Sequence, residues 1–195
     1  HSLGNLLITA LAEITGSFEE GVAESARVLA IRGRVLPSTL HDVRLVADVF
    51  NPAEGAVVVK GESEIPKVSG RIRRVWLEPN NPLAYPPALQ AILSAELIVV
   101  GPGSLFTSIL PNLLVHDLAA ALRSSRAVKL YVCNVANEPG ETDGFHCADY
   151  LRVLEQHVGN RLFDLVLCNN RFEGRLPEGV EWVRFDPQKI GRAHV

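Results

Sequence analysis

The sequence predicts an α/β protein built on a mainly parallel sheet with a β-rich insertion, and three observations carry that prediction. Short, continuously apolar runs (Glu96–Val100, Val128–Asn134 and "LFDLVLCNN") alternate with patterns of helical period. Two helical patterns open the chain. Between these parts, residues 31–78 are rich in Val, Thr, Gly and Pro and alternate over short stretches. Strand–helix–strand order with apolar strands implies a parallel sheet covered by helices on both faces.

The elements follow in order. Leu3 to Ile14 has apolar residues at helical spacing and stops at Gly16. Ser17-Phe-Glu-Glu20 matches a capping box, so a second helix runs to about Leu29. The stretch from Ile31 to Leu77 reads as four or so strands. Pro86 to Ala95 is a short helix, followed by the strand Glu96 to Val100, a loop "GPGS", and a helical run to Arg123. After the strand Val128 to Asn134, a polar loop "VANEPGETDG" leads into a helix from about Cys147 to His157, and then into a last strand. Residues 1–189 form one domain. The closing "IGRAHV", Ile190 to Val195, is what ATCGGAAGAGCACACGTC, a common sequencing adapter, encodes in one frame, so residues 190–195 are expected to be an adapter-derived tail. The chain contains no methionine and opens inside a helical pattern, so the fold is expected to be incomplete at both ends.

Composition narrows the function. A net charge of -3 gives no electrostatic case for a nucleic-acid or membrane partner. Glu96, Gly101, Pro102, Gly103 and Pro111 interrupt the longest apolar stretch, which falls short of the roughly 18 residues a membrane span needs. A soluble protein of the reducing cytoplasm is expected. Cys133, Cys147 and Cys168 lack Cys-x-x-Cys spacing and read as small buried thiols. His41, His116, His146 and His157 share no metal-ligand spacing, and Arg71, Arg73 and Arg74 beside Trp76 read as a solvated strand edge. Gly-x-Ser-x-Gly is absent, so no serine-hydrolase arrangement is predicted.

In an open parallel sheet the loops leaving the C-terminal ends of the strands share one rim, where ligands bind. Three such loops are predicted: Gly101–Ser108, Asn134–Gly144 and Asn169–Arg171. In the first, Gly101 and Gly103 permit close backbone approach, while Ser104, Thr107 and Ser108 lie at the start of the next helix. Free N–H groups and the helix dipole favour an anion there. The same residues also suit a tight connection with Ser104 as N-cap. In the second loop, Asn134, Asn137, Glu138, Glu141, Thr142 and Asp143 suit Mg²⁺, a sugar hydroxyl or a general base. Equally, Glu141 and Asp143 suit the N-terminus of the following helix. His1 and Asn5, four apart, fall on one helix face and are candidates for the same site.

Taken together, "HSLGNLL", "VLPST", "GES", "GPGSLFTSILPNLLV" and "PGETDGF" resemble the gluconeogenesis-factor branch of the family that also contains 2-phospho-L-lactate transferase. The likeness runs from His1 to about Asn170. It implies a Rossmann-like three-layer fold in the bacterial cytoplasm and a phosphate-rich ligand, a nucleotide sugar such as UDP-N-acetylglucosamine. It further implies a regulatory role in growth on gluconeogenic carbon sources and in cell shape, with no established reaction. Carried across, Gly101, Gly103, Ser104, Thr107 and Ser108 would contact phosphates, and Asn134, Glu141, Thr142, His1 and Asn5 would line the same cleft. The alternative from the same resemblance is a Mg²⁺-dependent phospho-group transferase using a nucleotide-activated donor. Phe106 stands where the family often has Tyr, "ANE" precedes Pro-Gly-Glu-Thr in place of Met-Thr-Gln, and Tyr150 follows Asp149 where His is frequent. The family's N-terminal glycine-rich strand and loop would precede "HSLGN". A homo-oligomer is left open.

Overall fold

The computed structural model describes residues 3–53 and 55–185. His1, the Asn5 side chain and the expected tail at 190–195 lie outside the described residues. Helix α1 (Leu3–Thr15) and helix α2 (Phe18–Val28) form a hairpin and pack chiefly on each other. The Ser17 hydroxyl accepts from the Glu20 N–H at 3.0 Å, which closes one half of the expected capping box.

The insertion holds three strands among the described residues, not four or so. Strand β1 (Arg44–Asn51) pairs antiparallel with β2 (Gly55–Lys60) on one side and β3 (Arg71–Glu78) on the other. The residues from Ile31 to Val43 form no strand, and Pro37 within them offers no N–H to a ladder. A short 3-10 turn, Ile65–Lys67, bridges β2 and β3 and plants Ile65 fully in the core. As expected for a basic edge, Arg71 and Arg73 lie on β3, which ends the sheet.

Helix α3 (Pro86–Ser94) leads into the parallel part: β4 (Leu97–Val100), β5 (Val128–Val132) and β6 (Leu165–Leu167), in that order. Here the predicted helical run to Arg123 is broken. It starts as a π-helical stretch, Leu105–Ile109, whose first turn is widened: the Ser104 carbonyl accepts from both Ser108 and Ile109 at 2.9 Å. It continues as helix α4 (Leu110–Leu113), then bends by 75° into helix α5 (His116–Ser124). Pro111 has no N–H for the regular ladder, and Val115 is extended, which explains the break. Helix α6 (Cys147–Val158) connects β5 to β6. No single helix among the described residues is long and apolar enough to cross a membrane.

One continuous core unites the two sheets. Leu45, Ala47, Ile72 and Val75 from the antiparallel sheet meet Phe106, Leu110, Tyr131 and Tyr150 from the parallel unit. His157 of α6 joins them by accepting the Val75 N–H at 3.1 Å, and its other ring nitrogen lies 2.7 Å from the Val153 carbonyl. Among the described residues, the core covers one face of the parallel sheet, and the second cover that its apolar strands predict is not among them. Register places Val100, Tyr131 and Val166 toward the core. Leu97, Val99, Val128, Leu165 and Leu167 lie exposed on the opposite face. Helices α5 and α6 of the two crossovers both contribute to the core, and among the described residues helices α1 and α2 pack chiefly on each other.

The cysteines also differ from the reading as three separate thiols. Cys147, at the start of α6, and Cys168, just past β6, are paired as a disulfide. Both sit at the same rim of the sheet, which the linear spacing of the residues does not reveal. Cys133 remains free and buried, and burial pushes its thiol up to about 12.

Candidate functional site

The rim is formed as predicted, because β4 and β5 run parallel and both exit on the same side. Gly101 closes the end of β4 with φ of 85°, and a side chain there would meet the Val132 carbonyl oxygen at 2.6 Å. Only glycine permits that approach. The loop is thereby pressed onto the end of β5, next to Asn134.

Two hydrogen bonds then tie the first loop to the second. The Gly103 N–H donates to the Asn134 side-chain oxygen at 3.1 Å. The Thr107 hydroxyl donates to Glu141 Oε1 at 2.7 Å. Asn134, Thr107 and Glu141 are all buried. Burial pushes the Glu141 carboxyl above its ordinary range, and neighbouring Glu138 adds to the rise. The Thr107 hydroxyl and the backbone amides of Phe106 and Thr107 act against it. The second carboxylate oxygen is buried without a hydrogen-bond partner.

Glu141 therefore does not cap α6, as one sequence reading had it. It accepts the Thr107 hydroxyl at the start of the widened turn, 34 residues earlier in the chain. Helix α6 is capped by its own residues: Asp149 accepts the His146 N–H at 2.9 Å in a reciprocal box. Asp149 is held below the usual carboxylate range although burial opposes it, because the His146 amide and Arg152 favour its charge. Asp143 instead accepts the Gly140 N–H at 2.8 Å and shapes the turn.

The remaining candidates separate into open and closed groups. Ser104 is half-buried and makes no side-chain cap bond, contrary to the N-cap alternative. Ser108 is exposed, and its carbonyl accepts the Asn112 amide at 2.7 Å. Thr142 is fully buried: its hydroxyl accepts from Tyr150 at 2.9 Å and from the Glu138 N–H at 2.9 Å. Of the third loop, Asn169 bonds, among the described residues, within its own turn to Arg171. Among the described residues, no three His, Cys, Asp or Glu side chains are placed to hold a metal ion.

Sequence reasoning missed the segment that braces the second loop. Asn137 exchanges hydrogen bonds with Glu181, its side-chain oxygen accepting the Glu181 N–H at 2.8 Å. Val183 N–H donates to the Val135 carbonyl, and Ala136 bridges to Trp182. The alternation in "VEWVRF" was the available signal.

A parallel unit with a glycine-rich loop and a polar loop pinned together on its rim, joined to an antiparallel sheet, defines the class: a mixed α/β protein. The chain belongs to the family described as 2-phospho-L-lactate transferase CofD, whose profile matches residues 1–195. It is 50% identical over 172 residues to a putative gluconeogenesis factor of Nostoc sp., covering 88% of this chain and 37% of that protein. It is 40% identical over 198 residues to the gluconeogenesis factor of Listeria innocua, covering 100% of this chain and 60% of that protein. A crystal structure of a UPF0052 family member from Bacillus halodurans superposes with a TM-score of 0.85 at 38% identity, over 97% of this chain and 62% of that one. The chain thus spans between 37% and 60% of the length of these two curated relatives.

Proposed function

We propose that this chain is part of a cytoplasmic nucleotide-sugar-binding regulatory protein, of the UDP-N-acetylglucosamine-binding kind, that acts in growth on gluconeogenic carbon sources and in cell-shape control. The observation that carries the reading is the pinned pair of rim loops. The Ser104 and Ser108 hydroxyls offer donors to a phosphate, while Asn134, accepting the Gly103 N–H, and Glu141, accepting the Thr107 hydroxyl, hold that loop in place. The names of the relatives, gluconeogenesis factor, support the physiological half.

The second reading, a phospho-group transferase, draws on the family description. Thermal unfolding of a chain extended to the length of its relatives separates the two. A ligand at a hundred times its dissociation constant adds about 2.7 kcal/mol of stability. UDP-N-acetylglucosamine is expected to raise the midpoint without added metal. A rise with GDP that requires Mg²⁺, and none with the UDP-sugar, would reverse the ranking.

A further inference from the structure

Strand β3 is the outer strand of the antiparallel sheet, and helix α6 meets it at Val75, whose N–H donates to His157. Toward Arg71 a groove of about 470 Å³ opens between the two. Arg71, Ile72 and Arg73 line it from the strand, and Val153 and Gln156 from the helix. Beyond the ladder with β1, the backbone of Arg71, Ile72 and Arg73 bonds to no other element among the described residues. An open edge of this kind offers donors and acceptors that a further strand can take up.

The two sides of the groove differ. On the core side, Ile72 is buried, Val153 packs against the core, and Phe145 is held edge-on to Phe106 and Tyr150. These residues make a fixed apolar floor. On the outer side stand Arg71 and, opposite it on β1, the exposed ring of Phe50. Arg73 lies over that ring, 5.8 Å from its centre. Arg71 forms no ion pair among the described residues, and Arg73 meets Asp48 only at 3.9 Å. No carboxylate among the described residues lines the groove. Glu141, Asp143 and Asp149 line a neighbouring cavity with Arg71, and Asp149 is already paired with Arg152 at 2.6 Å.

These features select the partner. Basic side chains guard a strand edge against a basic or plainly apolar strand, because like charges opposed across strands repel. An acidic strand meets the reverse. Its carboxylates fall beside Arg71 and Arg73, while alternate side chains turn toward the apolar floor. A small anion would satisfy the arginines and leave both the floor and the strand edge unused. The net charge of -3 opposes a nucleic acid as occupant. We propose that the groove between β3 and α6 docks an extended acidic peptide of another protein, one that alternates acidic and apolar residues and adds to β3 as a strand. The inference goes beyond the ligand-binding reading of the rim and does not rest on it.

Fluorescence anisotropy on the 195-residue chain tests it, with a fluorescein-labelled peptide of alternating glutamate and valine as probe. A saturable rise is expected, weakened tenfold or more in Arg71→Glu and in Arg73→Glu, both exposed positions where the change leaves the fold intact. The same peptide methylated on its backbone nitrogens should lose binding, because strand addition needs main-chain donors. A peptide of alternating lysine and valine should not bind. Absence of saturable binding overturns the proposal, as does affinity unchanged in both variants when circular dichroism shows them folded. Equal binding of the methylated peptide, or of a single-stranded oligonucleotide of the same charge, would overturn it too, by showing an unspecific anion-binding patch.

Discussion

The two sheets invert what their strands predict. Strand β1, "RLVADVFN", carries charges at Arg44 and Asp48, yet Leu45, Val46 and Ala47 are consecutively buried. Strand β4, "LIVV", is apolar throughout like a strand covered on both faces, yet Leu97 is 58% exposed and Val99 50%. Composition records how much burial a strand tolerates. The neighbours delivered to each face decide how much it receives.

The sharpest test of that contrast is a pair of truncations. Ile72→Ala, in the closed sheet, should cost about 2–5 kcal/mol in urea unfolding. Leu97→Ala, on the bare face, should stay within about 0.5 kcal/mol. Equal costs would mean that the bare face is buried in solution. Next in size is Thr107→Val, which removes the donor to Glu141 and should cost about 1–3 kcal/mol. A neutral result would show that the two rim loops are not held together by this bond.

Smaller effects distinguish the sheets by the sign of their pH dependence. Burial holds His157, which fastens β3 to α6, below its ordinary 6.5. Its contribution is therefore whole above that value and lost as pH falls, since the unfolded chain then binds more protons. Glu141, which fastens the rim, has the opposite shift from 4.5, so its contribution is whole in acid and lost as pH rises. Unfolding midpoints measured across the acid-to-neutral range should show the first slope flattened in His157→Gln and the second in Glu141→Gln. A shared sign would sink the assignment. Smallest of all, Ser108→Ala should leave stability within about 0.5 kcal/mol while weakening UDP-sugar affinity up to about tenfold. Unchanged affinity, measured by calorimetry, would remove Ser108 from the proposed phosphate contacts.

Much of the site was legible because its signals are local. Gly101 before an apolar helix start, and Asn134 at a strand end, mark rim loops by position alone. Glu141 was legible as a polar residue of interest, but its partner was not. Spacing rules relate a residue to its third or fourth neighbour, and Thr107 lies 34 residues away. The same limit hid the pairing of Cys147 with Cys168 and the brace from Glu181 to Asn137.

By itself, then, the sequence determined the order of elements, the parallel unit, the rim on which glycines and hydroxyls gather, and the family. Periodicity, breakers and turn chemistry act over a few residues and are written in the chain directly. Only the tertiary structure decided which strand faces are closed, that Glu141 satisfies Thr107 and leaves one oxygen unpaired, and that Arg71 shares a cavity with it. Those outcomes depend on contacts between distant segments, whose energies no local pattern encodes.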